Sequence, residues 1–321
     1  MLKIVVVGSI HEEGMQLLRA RSDFAVDVLS DLSPAGIAKG VAGAHGISIR
    51  TQKLTKEILA LAPDLRIVSR HGVGFDNVDV AYLSSRKIPM ALAVDSNFTA
   101  VAEHTLMMML CLVKDAFACD EAVRAGDFDY RQKGTMSDLM KKHVLIMGLG
   151  RIGRRVADLC LAFDMRVSAY DPYVQQSPAP GIEMVADFRS ALSSLDFLSL
   201  HMPATTDSVG MIGAKELAML QPHVFIVNCA RGGIIDETLL AQALSSGAIR
   251  GVGMDVFAQE PHDHTHPLFQ QKRCLFTPHN AALSVECSIR MAKQAAQNII
   301  DCMEGVLQAR VVANRQELGL E

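Results

Sequence analysis

The sequence has no excess of basic residues: Lys and Arg number 31 against 35 Asp and Glu, for a formal net charge of −4. Without a basic stripe there is no electrostatic footprint for nucleic acid, and an anionic small molecule would need a local basic pocket. There is no CxxC pair either. The seven cysteines, Cys111, Cys119, Cys160, Cys229, Cys274, Cys287 and Cys302, sit mostly in apolar runs, so they read as reduced core thiols in a cytoplasmic setting. The best membrane candidate, Thr105 to Val113, falls far short of the ~20 apolar residues a span needs, so no membrane partner is expected. The N-terminal run ends at Gly8 without a small-residue cleavage site, which favours a strand over a signal peptide.

The composition is that of a folded protein: 50% of residues are hydrophobic and 21% charged. At 321 residues the chain exceeds the ~250–300 at which a single core tends to split, so two domains are expected. Short apolar runs alternate with helix-like segments from the start. Strands are predicted at Ile4–Val7, Ala25–Leu29, Gly46–Ile49, Ile67–Ser69 and Pro89–Ala93, with helices between them, the last opened by Asn77. A long apolar helix follows over Thr99–Phe117, then a polar stretch over Asp120–Lys142. The alternation resumes with strands at His143–Met147, Arg166–Tyr170, Phe197–Leu200, Val224–Asn228, Gly251–Val256 and Leu275–Thr277 and helices between them, one at Asp187–Leu192, and a closing helix spans Ser284–Glu304. This order predicts an α/β protein of two Rossmann-like, doubly wound parallel-sheet domains. The rhythm breaks near residue 95, which is the expected domain boundary.

The strongest local signal is Gly148-Leu149-Gly150-Arg151-Ile152-Gly153. It follows an apolar strand, opens a helix, and has Asp171 at the end of the next predicted strand. Gly148 permits the tight turn, Gly150 lets a pyrophosphate approach the backbone, and Gly153 lets helix and strand pack closely. The helix N-terminus suits the diphosphate, and Arg151 and Ile152 lie in that first turn. Asp171 would accept hydrogen bonds from ribose hydroxyls and repel a 2′-phosphate. With Pro172 and Tyr173 following rather than Arg or Lys, NAD is expected over NADP.

Three further runs carry chemistry: Arg231 in Val227-Asn-Cys-Ala-Arg-Gly-Gly-Ile-Ile-Asp236, Glu260 in Asp255-Val-Phe-Ala-Gln-Glu-Pro261, and His279 in Thr277-Pro-His-Asn-Ala-Ala282. Singly, these read better as a helix-start ion pair or surface residue, a Glu-Pro turn and a structural histidine. Together with Arg70-His71-Gly72-Val73-Gly74 and the nucleotide loop, in this order, they resemble the D-isomer-specific 2-hydroxyacid dehydrogenases over nearly the whole chain. The chemistry agrees. Reducing a 2-keto acid needs a planar fork for its carboxylate (Arg231), a proton donor (His279) and an acid that orients and charges the imidazole (Glu260).

The resemblance implies more: residues 1–95 plus 285–321 would form a discontinuous, flavodoxin-like, substrate-binding domain and 96–284 the NAD-binding Rossmann domain, with a cleft between them that closes about a hinge. His201, Met202, Pro203, Cys229, Ala230 and Asp255 would line the cofactor, Asp255 at the nicotinamide amide. Gly72, Val73 and Gly74 would form an anion nest for the substrate carboxylate, with Arg50, His71 and Asn97 also facing substrate. Homodimer contacts would fall on the long helix from Thr99 and the segment after it. The substrate is a small 2-keto or 2-hydroxy acid. Phosphoglycerate dehydrogenases and hydroxypyruvate or glyoxylate reductases resemble the chain equally. Formate dehydrogenase, an NAD-sensing regulator like the C-terminal-binding-protein corepressors, and a scaffold with a relic nucleotide fold are the alternatives. Glu260 speaks against the first, where Gln is typical. His262, His264 and His266 alternate as in a metal patch, but no spaced Cys or carboxylates complete a site, so no metal is expected.

Overall fold

The computed structural model describes residues 1–320. The chain divides into two compact units, one formed by Met1–Asn97 with Ala282–Glu321, the other by Phe98–Ala281.

The first unit is built on five parallel strands: β1 (Leu2–Val7), β2 (Phe24–Val28), β3 (Gly46–Ile49), β4 (Ile67–Arg70) and β5 (Met90–Leu92), in the order β2-β1-β3-β4-β5. Helices α1 (Glu12–Arg19), α2 (Pro34–Val41), α3 (Lys56–Leu59) and α4 (Val80–Ser85) connect them. All four residues of β3, and Ile4 to Val7 of β1, are buried. This is the continuous apolar pattern of a parallel sheet covered on both faces. The strand order reverses between β1 and β3, and such switch points open a crevice beyond the strands' carboxyl ends. Arg50 follows β3 and His71 follows β4 at that edge. Helix α4 is opened by Asp79, which accepts the Tyr82 N–H, and not by Asn77. Asn77 instead donates to the Gln52 carbonyl, because Asn77 and Asp79 both offer a cap and Asp79, three residues before Tyr82, is the one that reaches the orphan N–H.

In the second unit α5 (Phe98–Lys114) is followed by α6 (Ala116–Arg124), which runs from the end of the expected long helix into the stretch read from sequence only as polar. Asp115, in the left-handed region at φ 50°, breaks the expected single helix. The sheet comprises β6 (His143–Met147), β7 (Arg166–Tyr170), β8 (Ile182–Met184), β9 (Phe197–Leu200), β10 (Phe225–Asn228), β11 (Gly251–Met254) and β12 (Cys274–Phe276). All are parallel, in the order β12-β11-β10-β9-β6-β7-β8, the dinucleotide-fold order with one added strand. Helix α7 (Arg151–Ala162) buries Gly153, Val156, Ala157 and Cys160, one face at helical spacing. Helices α8 (Ala214–Met219) and α9 (Glu237–Ser245) complete the connections. The segment expected as a helix at 187–192 is a 3-10 turn, Phe188–Ser194, capped by Asp187.

The chain returns to the first unit through α10 (Val285–Glu304), capped by Ser284 and stopped at Gly305 in the left-handed region. Gly14 of α1 lies so close to it that a Cβ would sit 2.6 Å from the Ala292 backbone, so α10 closes one face of that sheet. Among the described residues no helix is long and apolar enough to cross a membrane.

Candidate active site

The glycine loop is fixed by its own hydrogen bonds. After β6 the chain turns at Gly148, φ +93°, whose N–H donates to the Tyr170 carbonyl at 2.8 Å. A Cβ there would lie 2.7 Å from the His201 carbonyl oxygen, so only glycine fits. At Gly153 a Cβ would stand 1.9 Å from the Gly148 carbonyl oxygen. Gly150, the α7 N-cap, has nothing within 4 Å of its Cβ position. Two glycines therefore serve packing and the third leaves open space at a helix N-terminus, the arrangement a pyrophosphate needs. Asp171 is held ready: Oδ2 accepts the Leu149 N–H at 2.8 Å and Oδ1 accepts the Tyr173 N–H at 2.9 Å. Each oxygen keeps lone-pair capacity for a ribose hydroxyl. Arg151 is exposed and Ile152 half-buried.

At the end of β9, His201 pairs Nε2 with the Ser199 hydroxyl at 2.7 Å, while its buried Nδ1 has no protein partner. Burial pushes this imidazole down to about 3, so it is neutral at pH 7. An orphaned buried nitrogen beside the glycine loop is a further fit to a polar ligand. Met202 is half-buried and Pro203 exposed on the same loop.

Beyond β10, Asn228 clamps the next turn: its Oδ1 accepts the Ala230 N–H at 3.0 Å and its Nδ2 donates to the Arg231 carbonyl at 2.9 Å. Sequence reasoning passed over this residue. An Asn closing a strand before a turn is the signal that could have found it. Cys229 is buried with Sγ 3.7 Å from Met108 Sδ, and burial drives its thiol up to about 12, so it is no nucleophile.

Glu260 and His279 come together as the sequence pattern implies. The Glu260 Oε2 lies 2.7 Å from His279 Nδ1, and Oε1 accepts the Phe257 N–H at 3.0 Å. Both side chains are partly open to solvent, 37% and 51% exposed. The hydrogen bond to Glu260, with the nearby carboxylate charge of Asp255, raises the His279 pKa above its ordinary value despite burial and Arg231. Partial burial works against the Glu260 charge, but the His279 and Phe257 hydrogen bonds and the charges of His279 and Arg231 outweigh it, and its pKa is lowered. Both groups thus favour their charged forms. Arg231 lies within Coulombic reach of both and donates through Nη1 to the Ala230 carbonyl at 2.7 Å.

Asp255 is 1% exposed and faces the histidine loop. It accepts from the Thr277 hydroxyl at 2.6 Å, from Asn280 N–H at 2.9 Å and from Ala281 N–H at 3.0 Å. His104 of α5 reaches the same Thr277 hydroxyl at 3.0 Å. His279 itself stands in the left-handed region, φ 51°, and these bonds hold the loop that imposes it. Neither Thr277 nor His104 is recognisable from the sequence, because the contact joins residues far apart in the chain.

In the other unit, Gly72 adopts φ +141° and spends its N–H on the Arg70 carbonyl, so any anion nest here falls to Val73 and Gly74. His71 is 5% exposed, with Nε2 lacking a protein partner. Burial, then the charges of Arg50 and Arg70, push it down to about 4. Arg70 donates to the His71 carbonyl at 2.6 Å. Arg50 and Asn97 are half-buried, Arg50 directly past the carboxyl end of β3 and Asn97 directly before α5. The alternating histidines do not gather: His262 and His266 pack on Phe269, with ring centroids 4.4 and 6.4 Å away.

A family profile described as "D-isomer specific 2-hydroxyacid dehydrogenase, NAD binding domain" matches residues 106–281, more than half of the chain. A curated relative, the D-3-phosphoglycerate dehydrogenase of Mycobacterium leprae, is 40% identical over 245 residues, 76% of this chain and 46% of its own length. The D-3-phosphoglycerate dehydrogenase of Archaeoglobus fulgidus is 32% identical over 95% of this chain and 58% of its own. The chain thus spans about half the length of the curated relatives it matches. Among solved structures, the TT0316 protein of Thermus thermophilus superposes with a TM-score of 0.87 at 27% identity, covering 95% of this chain and 97% of that one. The second unit is accordingly an NAD-binding domain, and the chain belongs to the D-isomer-specific 2-hydroxyacid dehydrogenase family.

Proposed function

We propose that the chain is an NAD-dependent dehydrogenase of small D-2-hydroxy acids, with Arg231, Glu260 and His279 as its catalytic residues. The observation that carries this reading is the 2.7 Å bond between His279 Nδ1 and Glu260, which leaves the imidazole Nε2 to face a reacting oxygen. In the reductive direction His279, kept protonated by Glu260, gives a proton to the ketone oxygen, and in the oxidative direction it takes one back. Arg231 holds the substrate carboxylate and carbonyl oxygens in its planar fork. NAD, when bound, supplies the hydride chemistry. The open backbone at Gly150 takes its pyrophosphate and Asp171 its ribose.

Residues 1–95 plus 285–321 form the substrate-binding domain in this proposal, and 96–284 the cofactor domain. Arg50, His71, Val73, Gly74 and Asn97 are its substrate-binding groups. Two cations flanking a neutral, buried histidine suit a substrate with a second anionic group. The name of the curated relatives, D-3-phosphoglycerate dehydrogenase, points the same way. Exposed Phe117, Val123 and Phe128 on and just after α6 support a homodimer through this face. All seven cysteines are free, which supports a reducing, cytoplasmic setting.

The test is steady-state turnover of glyoxylate, hydroxypyruvate and 3-phosphohydroxypyruvate with NADH and NADPH, with formate and NAD as a separate arm. Turnover of at least one keto acid with preference for NADH is expected. Turnover of formate alone, or of nothing, refutes the reading.

A further inference from the structure

Glu260 lies on Phe257–Pro261, a stretch without helix or strand. Something must fix it, since a carboxylate displaced by about 1 Å loses most of its hydrogen bond and its influence on the imidazole. On one side the stretch borders a cavity of about 460 Å³ lined by Glu237, Ala258, Gln259 and His262, so packing does not support it there. Two contacts from the arginine loop and the helix after it do. Gly232, next to Arg231, approaches so closely that a Cβ would lie 1.9 Å from the Phe257 carbonyl oxygen. Glu237, the first residue of α9, accepts the Ala258 N–H through Oε1 at 2.6 Å. Phe257 N–H and Ala258 N–H thus go to two different carboxylates, Glu260 and Glu237.

Glu237 is not needed as a helix cap. Asp236 already fills that place, accepting the Thr238 and Leu239 N–H groups. Its carboxylate is half-buried beside Asp236, Glu260 and His266, and two like charges make this an unfavourable position for an acid with no other duty.

We propose that Glu237 is a positioning residue: its carboxylate seats the loop that carries Glu260, and so holds Glu260 against His279. The inference rests on the proton-relay reading of that pair. Reach and charge can be separated. Glu237→Gln keeps an oxygen at the same distance and removes the charge. Glu237→Asp keeps the charge but is shorter by about 1.5 Å, too short to hold the Ala258 N–H.

The experiment is an NMR titration of His279 in the intact, ligand-free protein, its signal assigned by loss in His279→Ala, alongside kcat and KM for the best keto acid. The groups bearing on His279 are Glu260, Asp255 and Arg231; none is altered by changes at Glu237. Glu260→Gln should lower the His279 pKa. Glu237→Ala and Glu237→Asp should move it in the same direction and lower kcat about tenfold, with the KM for NADH changed by less than about twofold. Glu237→Gln should stay close to wild type in both. If Glu260→Gln lowers the His279 pKa and Glu237→Asp leaves it at the wild-type value, the tether is refuted while the relay stands. If Glu237→Gln behaves like Glu237→Asp, charge rather than reach is at work and the proposal falls. If Glu260→Gln has no effect on His279, the relay reading itself fails and the tether with it.

Discussion

Gly150 and Gly153 sit three residues apart and should fail in different ways when given a methyl group. At Gly153 the new Cβ would stand 1.9 Å from the Gly148 carbonyl oxygen, where real Cβ contacts stay above 3.0 Å. The start of α7 must therefore shift from β6 by more than an ångström. Overpacking against backbone costs about 1–3 kcal/mol, or roughly 2–12 °C in Tm for a unit of this size, and it also moves the helix N-terminus that meets the pyrophosphate. Gly150 has φ −73° and ψ −162°, open to any residue, with no atom within 4 Å of its Cβ position. Gly150→Ala should cost under about 1 kcal/mol of stability as a weaker N-cap. Its methyl, however, occupies the space through which a diphosphate reaches the backbone. A steric loss of about 1–3 kcal/mol there means roughly 5- to 150-fold weaker NADH binding. The chain has no tryptophan, so the emission of NADH itself is a clean readout, with Tm from circular dichroism. Gly153→Ala should lose both stability and affinity; Gly150→Ala should lose mainly affinity, with the smaller drop in Tm. Wild-type NADH affinity in Gly150→Ala would refute the assignment of this loop to the cofactor.

Other expectations are as direct. Asp171→Ala should weaken NADH binding about tenfold and narrow the expected NADH-to-NADPH preference, because it removes the proposed ribose acceptor and the bond that holds Leu149 N–H; the ratio of kcat/KM with the two cofactors checks this. The Glu260–His279 pair should stabilise the fold over a bounded pH range. His279 is raised above its ordinary 6.5, so its contribution is complete below that value and is lost as pH rises through its folded pKa. Glu260 is lowered below its ordinary 4.5, so its contribution is present above that value and is lost as pH falls through its folded pKa. The Tm difference between wild type and Glu260→Gln should therefore peak between about 4.5 and 6.5, and a flat difference would contradict it. His71 is buried neutral with its folded pKa near 4, below the ordinary 6.5. Its unfolded form takes up a proton first, so stability drains away as pH falls from about 6.5 towards 4. His71→Gln should flatten that limb in urea titrations, and an unchanged slope would count against it.

The two sheets were largely legible in the sequence because parallel strands buried on both faces are written as unbroken apolar runs. His143–Met147, Arg166–Tyr170 and Phe197–Leu200 match the expected ranges to the residue. Short β8, with Glu183 exposed in its middle, carries no such run. Helix α6 was hidden by its polar face, and the break at Asp115 by the absence of glycine or proline. The residues of the candidate site were legible as motifs, since each glycine, acid and imidazole is tied to a fixed step of the chain. What supports them was not. Asp255 as anchor of the histidine loop, His104 and Glu237 act through contacts between separate segments, which spacing along the chain does not encode, whereas Asn228 clamps the turn directly after it and carries a local signal.

In the proposed reaction the imidazole of His279 moves the substrate proton. The most direct test of this is NADH-dependent reduction of the keto-acid panel by wild type and by His279→Ala, each shown to bind NADH equally well. His279→Ala should lose about 10²–10⁴ in kcat with NADH affinity preserved. Turnover at the wild-type rate in the variant would contradict it.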